Sequence, residues 1–213
     1  MIALMSVLSV FANICLLFKT GHTRSYTEVY SWRDYYGEVP HDAIFAGFDK
    51  SHKPLYLGQV LYKDNIIAGK IIEGDENIHV EYFDVEYTLN KNVKVLCSHQ
   101  PEKLGWIPSN KTEVPHLSQN RILIRGGFEP SCVTYLGRLS PVNNVTNVGK
   151  VMCCKGNDSC YGLYTTSHGT GQLHEVFEIL AYVEDKPNTI IRVGTSAKGE
   201  DQRKLFLDVI LDY

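Results

Sequence analysis

Gly47-Phe48-Asp49, Tyr56-Leu57-Gly58-Gln59 and Gly69-Lys70-Ile71 return further along the chain as Gly127-Phe128-Glu129, Tyr135-Leu136-Gly137-Arg138 and Gly149-Lys150-Val151. The offsets are 80, 79 and 80 residues, so the second copy is one residue shorter before its Tyr-Leu-Gly step and one longer after it. Asp49 to Lys70 and Glu129 to Lys150 therefore both span 21 residues. A carboxylate and an ammonium kept at equal spacing in two copies indicate a repeated polar site as well as a repeated core.

Around these steps every periodic stretch favours strand. Ile78, Val80 and Tyr82 alternate with His79 and Glu81, and Leu205, Leu207, Val209 and Leu211 alternate with Phe206, Asp208, Ile210 and Asp212. A period of two predicts one face in a core and the other toward solvent. Runs rich in β-branched and aromatic residues at 55–62, 66–72, 93–97, 122–124, 133–139, 176–183 and 189–193 read as further strands. Turn chemistry separates them at 49–54, 63–65, 143–144 and 198–201. No window of a dozen residues carries a helical stripe with caps. Gly58, Gly69, Gly137 and Gly149 interrupt apolar runs, where glycine weakens a strand unless a bulge or a close approach requires it. The expected fold is all-β: two tandem repeats packed with a pseudo-two-fold into one antiparallel β-sandwich or barrel-like domain with a shared core. The candidate boundary is the Pro/Ser/Asn stretch from Pro108 to Asn120.

At 213 residues, with 44% apolar and 21% charged residues, the composition is that of an ordinary globular protein and excludes wholesale disorder. The net charge of −3 and the lack of a Lys/Arg block exclude the basic footprint that nucleic acid needs. Ile2 to Phe18 is apolar apart from Ser6, Ser9 and Asn13, and it stops at Lys19. That is short for a membrane span of ~20 residues, so residues 1–25 read as a secretory signal rather than an uncleaved anchor. Cleavage before Tyr26 leaves no membrane segment and implies an extracellular protein. Asn110, Asn144 and Asn157 each open an N-glycosylation triplet. Beyond the signal there are five cysteines, Cys97, Cys132, Cys153, Cys154 and Cys160, enough for two bridges and one thiol. A zinc site on Cys153, Cys154 and Cys160 is the alternative, and no CxxC or spaced histidine pair supports it.

Trp32, Gly37-Glu38-Val39-Pro40, Ala43, Gly47-Phe48-Asp49, Leu55-Tyr56-Leu57-Gly58, Gly69-Lys70 and Val95-Leu96-Cys97, closing at Trp106, resemble a DM9 repeat. Gly126-Gly127-Phe128, Tyr135-Leu136-Gly137-Arg138, Gly149-Lys150 and Phe177-Glu178-Ile179-Leu180 resemble a second, degenerate copy that lacks the opening Val-Pro and the closing Trp. The division is a first repeat at 26–110, a second at 111–181, and C-terminal strands at 182–213 that complete the fold. The resemblance implies two intertwined β-rich repeats, a tendency to dimerise, and binding of mannose-type glycans in innate immune recognition, with no cofactor and no metal. It also implies that sugar contacts centre on the acid of the Gly-x-Asp step and the lysine of the Gly-Lys step. Carried onto this chain these are Asp49 and Lys70, with Glu129 and Lys150 as a second site whose extra methylene displaces the carboxylate.

The residue types suit a hexose, whose adjacent hydroxyls both donate and accept: a carboxylate accepts from them and an ammonium donates to them. Plainer readings stand beside this one. Asp49 opens a polar turn before Pro54 and could be an Asx-turn residue, Lys70 and Lys150 could be solvated strand residues, and Tyr56 and Tyr135 belong to the core. Enzyme motifs fail. Asp64 occupies the first glycine position of a phosphate loop ending at Gly69-Lys70, His174-Glu175 lacks a second histidine, and Ser131 lacks the flanking glycines of a nucleophile elbow. Cys160 with His168 and His174 is the remaining catalytic combination, and a non-lectin structural or interaction role is the main competitor to sugar binding.

Overall fold

The computed structural model describes residues 29–183 and, as backbone alone, two short strands at 192–194 and 206–208. The segment read as a signal lies outside the described residues, as does the rest of the C-terminal stretch. Fourteen strands form the main sheet in chain order. The first seven are β1 (Ser31–Asp34), β2 (Phe45–Phe48), β3 (Pro54–Tyr62), β4 (Asn65–Ile72), β5 (Ile78–Tyr82), β6 (Val85–Leu89) and β7 (Val93–Cys97). The second seven are β8 (Leu104–Asn110), β9 (Arg125–Glu129), β10 (Cys132–Arg138), β11 (Val148–Cys154), β12 (Gly162–Ser167), β13 (Thr170–His174) and β14 (Val176–Tyr182). The strands β15 (Arg192–Gly194) and β16 (Phe206–Asp208) pair with each other in a separate sheet.

The pairing order exposes the duplication. It runs β1-β7-β3-β4-β5-β6 and then β13-β12-β11-β10-β14-β8, the same order mirrored with seven added to each label. The pseudo-two-fold passes between Val85 and Thr170, where β6 meets β13. Trp32 lies opposite Leu96 and Trp106 opposite Leu180. Trp106 therefore opens the second unit instead of closing the first, and β8 pairs into the second unit although the sequence groups it within 26–110. Eight antiparallel strands close on themselves: β4-β5-β6-β13-β12-β11-β10-β9, returning to β4 where Ile66 faces Phe128. On the other side Phe48 of β2 exchanges backbone hydrogen bonds with Asn144 and Thr146. Each repeat's Gly-Phe step thus crosses onto the other repeat, which makes the pair intertwined.

Three apolar clusters follow from this layout. Val60, Ile67, Ile71, Ile78 and Val95 fill the first unit, and Val151, Leu163, Phe177 and Ile179 the second. Between them Leu57, Ile44 and Leu96 of one repeat meet their counterparts Leu136, Ile124 and Leu180 of the other, so the central core is shared. Closure also changes the meaning of the period-two pattern. Glu81 is buried although it alternates with Val80, because its face lines the barrel interior instead of solvent.

The in-strand glycines serve close approach. Gly58 pairs with Gly69 and Gly137 with Gly149 across the β3–β4 and β10–β11 ladders. A Cβ on Gly69 would lie 2.2 Å from the His79 carbonyl oxygen, and one on Gly149 1.9 Å from that of Tyr164. The backbone next door, not a movable side chain, forbids any larger residue there.

The expected strand at 122–124 is absent, with Leu123 making a single bridge to Ala181. A short helix, α1 (Val114–Asn120), lies where no helix was expected. It lacks a side-chain cap at Glu113 and spans seven residues, too few to display a stripe. Cys132–Cys154 and Cys153–Cys160 are disulfides, which occupies the thiols of the zinc alternative. Among the described residues Cys97 is the free thiol, buried and pushed up to about 11 by burial and by the Asp42 carboxylate. Among the described residues no helix is long and apolar enough to cross a membrane, and no group of three His, Cys, Asp or Glu side chains could hold a metal ion.

Gly149→Ala is expected to destabilise the chain by about 2–3 kcal/mol, since overpacking against fixed backbone forces the strands apart. A urea unfolding midpoint checks this, and an unchanged midpoint contradicts the close-approach role.

Candidate functional site

Lys70 on β4 sits opposite His79, and Lys150 on β11 sits opposite Tyr164. The glycine before each lets the neighbouring strand close in, and the strand alternation turns each lysine into the barrel. Lys70 Nζ donates to the Thr166 carbonyl at 2.7 Å, and Lys150 Nζ donates to the Glu81 carbonyl at 2.8 Å. Thr166 and Glu81 hold equivalent positions on β12 and β5. Each repeat's lysine thus reaches across the two-fold to the main chain of the other.

Beyond that shared bond the two sites diverge. Lys150 Nζ lies 2.6 Å from Glu129 Oε1 and 3.0 Å from Glu81 Oε2. The residue exposures are 1% for Lys150, 8% for Glu129 and 4% for Glu81, and the rings of Tyr82 and Tyr164 lie 6.0 and 5.8 Å from the ammonium. Burial raises the Glu129 carboxyl above its ordinary range, Lys150 partly counteracts that, and Glu81 adds to it. The Glu129/Lys150 pair, expected as a second sugar site, is therefore a closed ion cluster. The additional methylene that was expected to displace the carboxylate instead lets it reach the ammonium and seal the site.

Asp49 is one methylene shorter and folds back on its own turn. Its Oδ1 accepts from the backbone N–H of Ser51 and of Lys53, both at 2.8 Å, which is the Asx-turn role. Asp49 does not bond Lys70, yet its charge still favours the Lys70 ammonium. Lys70 remains half-buried, with Asn147 Oδ1 as its second acceptor at 3.3 Å. Desolvation lowers its pKa, and Glu86 and Asp49 offset part of that.

A carboxylate–imidazole–carboxylate chain borders this lysine. Asp75 Oδ2 lies 2.9 Å from His79 Nε2, and His79 Nδ1 lies 3.3 Å from Glu86 Oε1. Glu86 Oε2 accepts the Gly169 N–H at 2.8 Å. Desolvation pushes Glu86 upward, but the Gly169 hydrogen bond together with the Lys70 and His79 charges holds it below its ordinary range. Asp75 is likewise held low, against desolvation, by hydrogen bonds from His79 and Asn77. Sequence reasoning missed Glu86, His79, Asp75 and Asn147 as site members. For His79 the Ile78–Tyr82 alternation contained the signal, but its polar face was assigned to solvent, and the strand that carries Glu86 was not recognised.

The arrangement combines a fixed ammonium with two anionic acceptors at a half-open position. Lys70 has three N–H donors, two of them used, so one remains for a ligand hydroxyl. Other sequence candidates fall elsewhere. Asn144 is exposed in a turn and Asn157 in the loop after β11, whereas the Asn110 carboxamide oxygen accepts from Thr112 and Glu113 N–H groups. Tyr56 and Tyr135 pack against the core clusters. Cys160 is disulfide-bonded, His174 Nε2 sits 3.0 Å from the Thr165 hydroxyl, and His168 bonds Ser167, so these three do not form a nucleophile–base set.

Lys150→Ala is expected to destabilise the fold by about 3–5 kcal/mol, because it strands two buried carboxylates, and chemical denaturation measures it. Glu86 contributes stability that is complete above its ordinary range and lost as pH falls through its depressed value. Glu129 has the opposite sign, since ionising it above its ordinary range works against folding. Glu86→Gln should therefore flatten the acid limb of the melting-temperature profile, and an unaltered acid limb contradicts its pairing.

Residues 22–89 match the DM9 repeat family. Among solved structures the chain is similar to the nematode sperm cell motility protein MFP2B, at 9% identity and a TM-score of 0.50, over 80% of this chain and 52% of that one. This chain thus spans about half the length of that protein, and the likeness concerns the fold alone. No curated protein matches the chain. The matched residues contain the Gly-x-Asp and Gly-Lys steps of Asp49 and Lys70, and the strand order repeats their unit once more, so the similarity to the DM9 repeat rests on residues 22–89.

Proposed function

We propose that the chain is a carbohydrate-binding protein that takes mannose-type glycans at one site per chain, built on Lys70 with Asp49 and Glu86. The observation that carries this is the contrast between the two lysines. Lys150 is fully neutralised and closed, whereas Lys70 is held by two neutral acceptors, lies half-open and keeps a donor beside two carboxylates that can accept from hydroxyls. Asp49 offers Oδ2 while Oδ1 fixes the turn.

Hydrogen bonds to charged groups contribute about 1.5–3 kcal/mol each. Two or three of them, after entropic losses, leave a monosaccharide near −4 kcal/mol, a millimolar affinity. With one site per chain, useful avidity depends on a homodimer, which could add ~10²–10⁴-fold on a clustered glycan surface. The two disulfides are compatible with an extracellular setting, which suits secreted pattern recognition.

A second reading has its own support. Lys70 makes the same cross-repeat bond to main chain as the buried Lys150, so its fold role alone could account for it, and a motility protein shares the fold. In that case the repeats serve a structural or interaction protein. Mannan pull-down and glycan-array binding separate the two. Lys70→Ala is expected to weaken mannan binding more than about tenfold, and Asp49→Ala less, because Oδ2 is one acceptor of several. Binding that persists in both variants removes the site, and no glycan binding by the unaltered chain favours the second reading.

A further inference from the structure

A cleft of about 670 Å³, not lined by Lys70, Asp49 or Glu86, lies between the ends of β2, β8, β10 and β14 and the β7–β8 connection. Its size suits a monosaccharide-sized ligand. Phe45, Leu104 and Trp106 give it an apolar wall, and Arg138, His41 and His99 give it donors.

Arg138 is its most constrained member. The guanidinium carbon lies 4.4 Å from the centre of the Trp106 ring. Nε donates to Glu178 Oε2 at 2.6 Å, and one terminal nitrogen donates to the Ala46 carbonyl at 2.8 Å. A guanidinium carries five N–H groups, so these two bonds leave three on a plane that cannot turn. Its side chain is 17% exposed. Both charges in the wall are paired within the protein: Arg138 with Glu178, and Asp42 through Oδ1, bonded by Arg33 at 2.6 Å, with Oδ2 3.7 Å from His99 Nδ1.

The pseudo-two-fold provides an internal control. The position equivalent to Arg138 is Gln59, which faces Lys94 as Arg138 faces Glu178. Trp32 is the counterpart of Trp106. The duplicated ladder therefore forms without an arginine at this position, and the second repeat has placed a planar cation over its tryptophan at the wall of a cleft.

We propose that this cleft binds a carboxylated six-membered ring of monosaccharide size. The carboxylate meets the remaining N–H groups of Arg138, with the His41 and His99 imidazoles at the mouth, and the ring lies against the apolar wall. The site is separate from Lys70 and does not rest on mannose binding there.

The test is a ¹H–¹⁵N NMR titration of the full chain with glucuronate, using methyl glucoside as the neutral control. The chain has two tryptophans, so the indole N–H signals of Trp106 and Trp32 report the cleft and its symmetry counterpart side by side. Glucuronate is expected to shift Trp106 and leave Trp32 in place, with excess mannan making no difference. Arg138→Gln, which copies Gln59, should weaken the response at least tenfold, as loss of a charge-assisted bond requires. A thermal melt confirms that the variant is folded, and the two-indole contrast in the unaltered chain stands without any variant. No Trp106 shift at concentrations that fill a millimolar site overturns the proposal. So does an equal shift with methyl glucoside, a response displaced by mannan, or a folded Arg138→Gln with undiminished affinity.

Discussion

Each repeat sends one lysine through the barrel to a main-chain carbonyl of the other, and most of the architecture is arranged around those two ammonium groups. An ammonium in a closed interior is costly unless paired and hydrogen-bonded. The barrel therefore needs a polar lining, and the alternation of β5 and β6 supplies it through His79, Glu81 and Glu86. It also needs strands close enough for the lysine to span. Gly69 and Gly149 meet that need by letting the β5 and β12 backbones approach to where a Cβ would collide. The glycine and the lysine of each Gly-Lys step are thus one device: the first brings the neighbouring strand in, and the second crosses the lumen.

Duplication then allowed the copies to part. Two small differences separate the open lysine from the closed one. Glu129 is long enough to contact Lys150, whereas Asp49 turns back to its own loop. Glu81 adds a second carboxylate to Lys150 beside its carbonyl, whereas its equivalent, Thr166, offers Lys70 the carbonyl alone. Neither change disturbs the strand ladder, so the fold kept its symmetry while the polar contents lost theirs. The Gln59/Arg138 difference has the same character further along the same ladders.

The duplication, the all-β class and most long strands were legible in the sequence, because period-two alternation and in-strand glycines are local properties. The run at 93–97 is β7 to the residue, and 55–62 and 66–72 differ from β3 and β4 by one residue at the start. The short β1, β2, β6, β9 and β13 were not legible, since four or five residues carry little pattern, and the longer β8, β11 and β12 were not assigned either, their runs being broken by Pro108, by Gly149 and Lys150, and by polar Thr165 to Ser167. Trp106 was assigned to the wrong unit because sequence order follows the chain, while unit membership follows strand pairing.

The sequence by itself determined that an acid and a lysine recur at one spacing in two β-rich copies, since spacing along the chain is all that such a repeat requires. Tertiary structure decided what each pair became. Closing eight strands into a barrel moved a face expected in water into an enclosed interior, where two side-chain differences separate a sealed ion cluster from a half-open ammonium. Contacts of that kind join residues from different repeats, as Glu81 and Lys150 or Lys70 and Thr166 do. Only the crossing of one copy over the other brings them within reach.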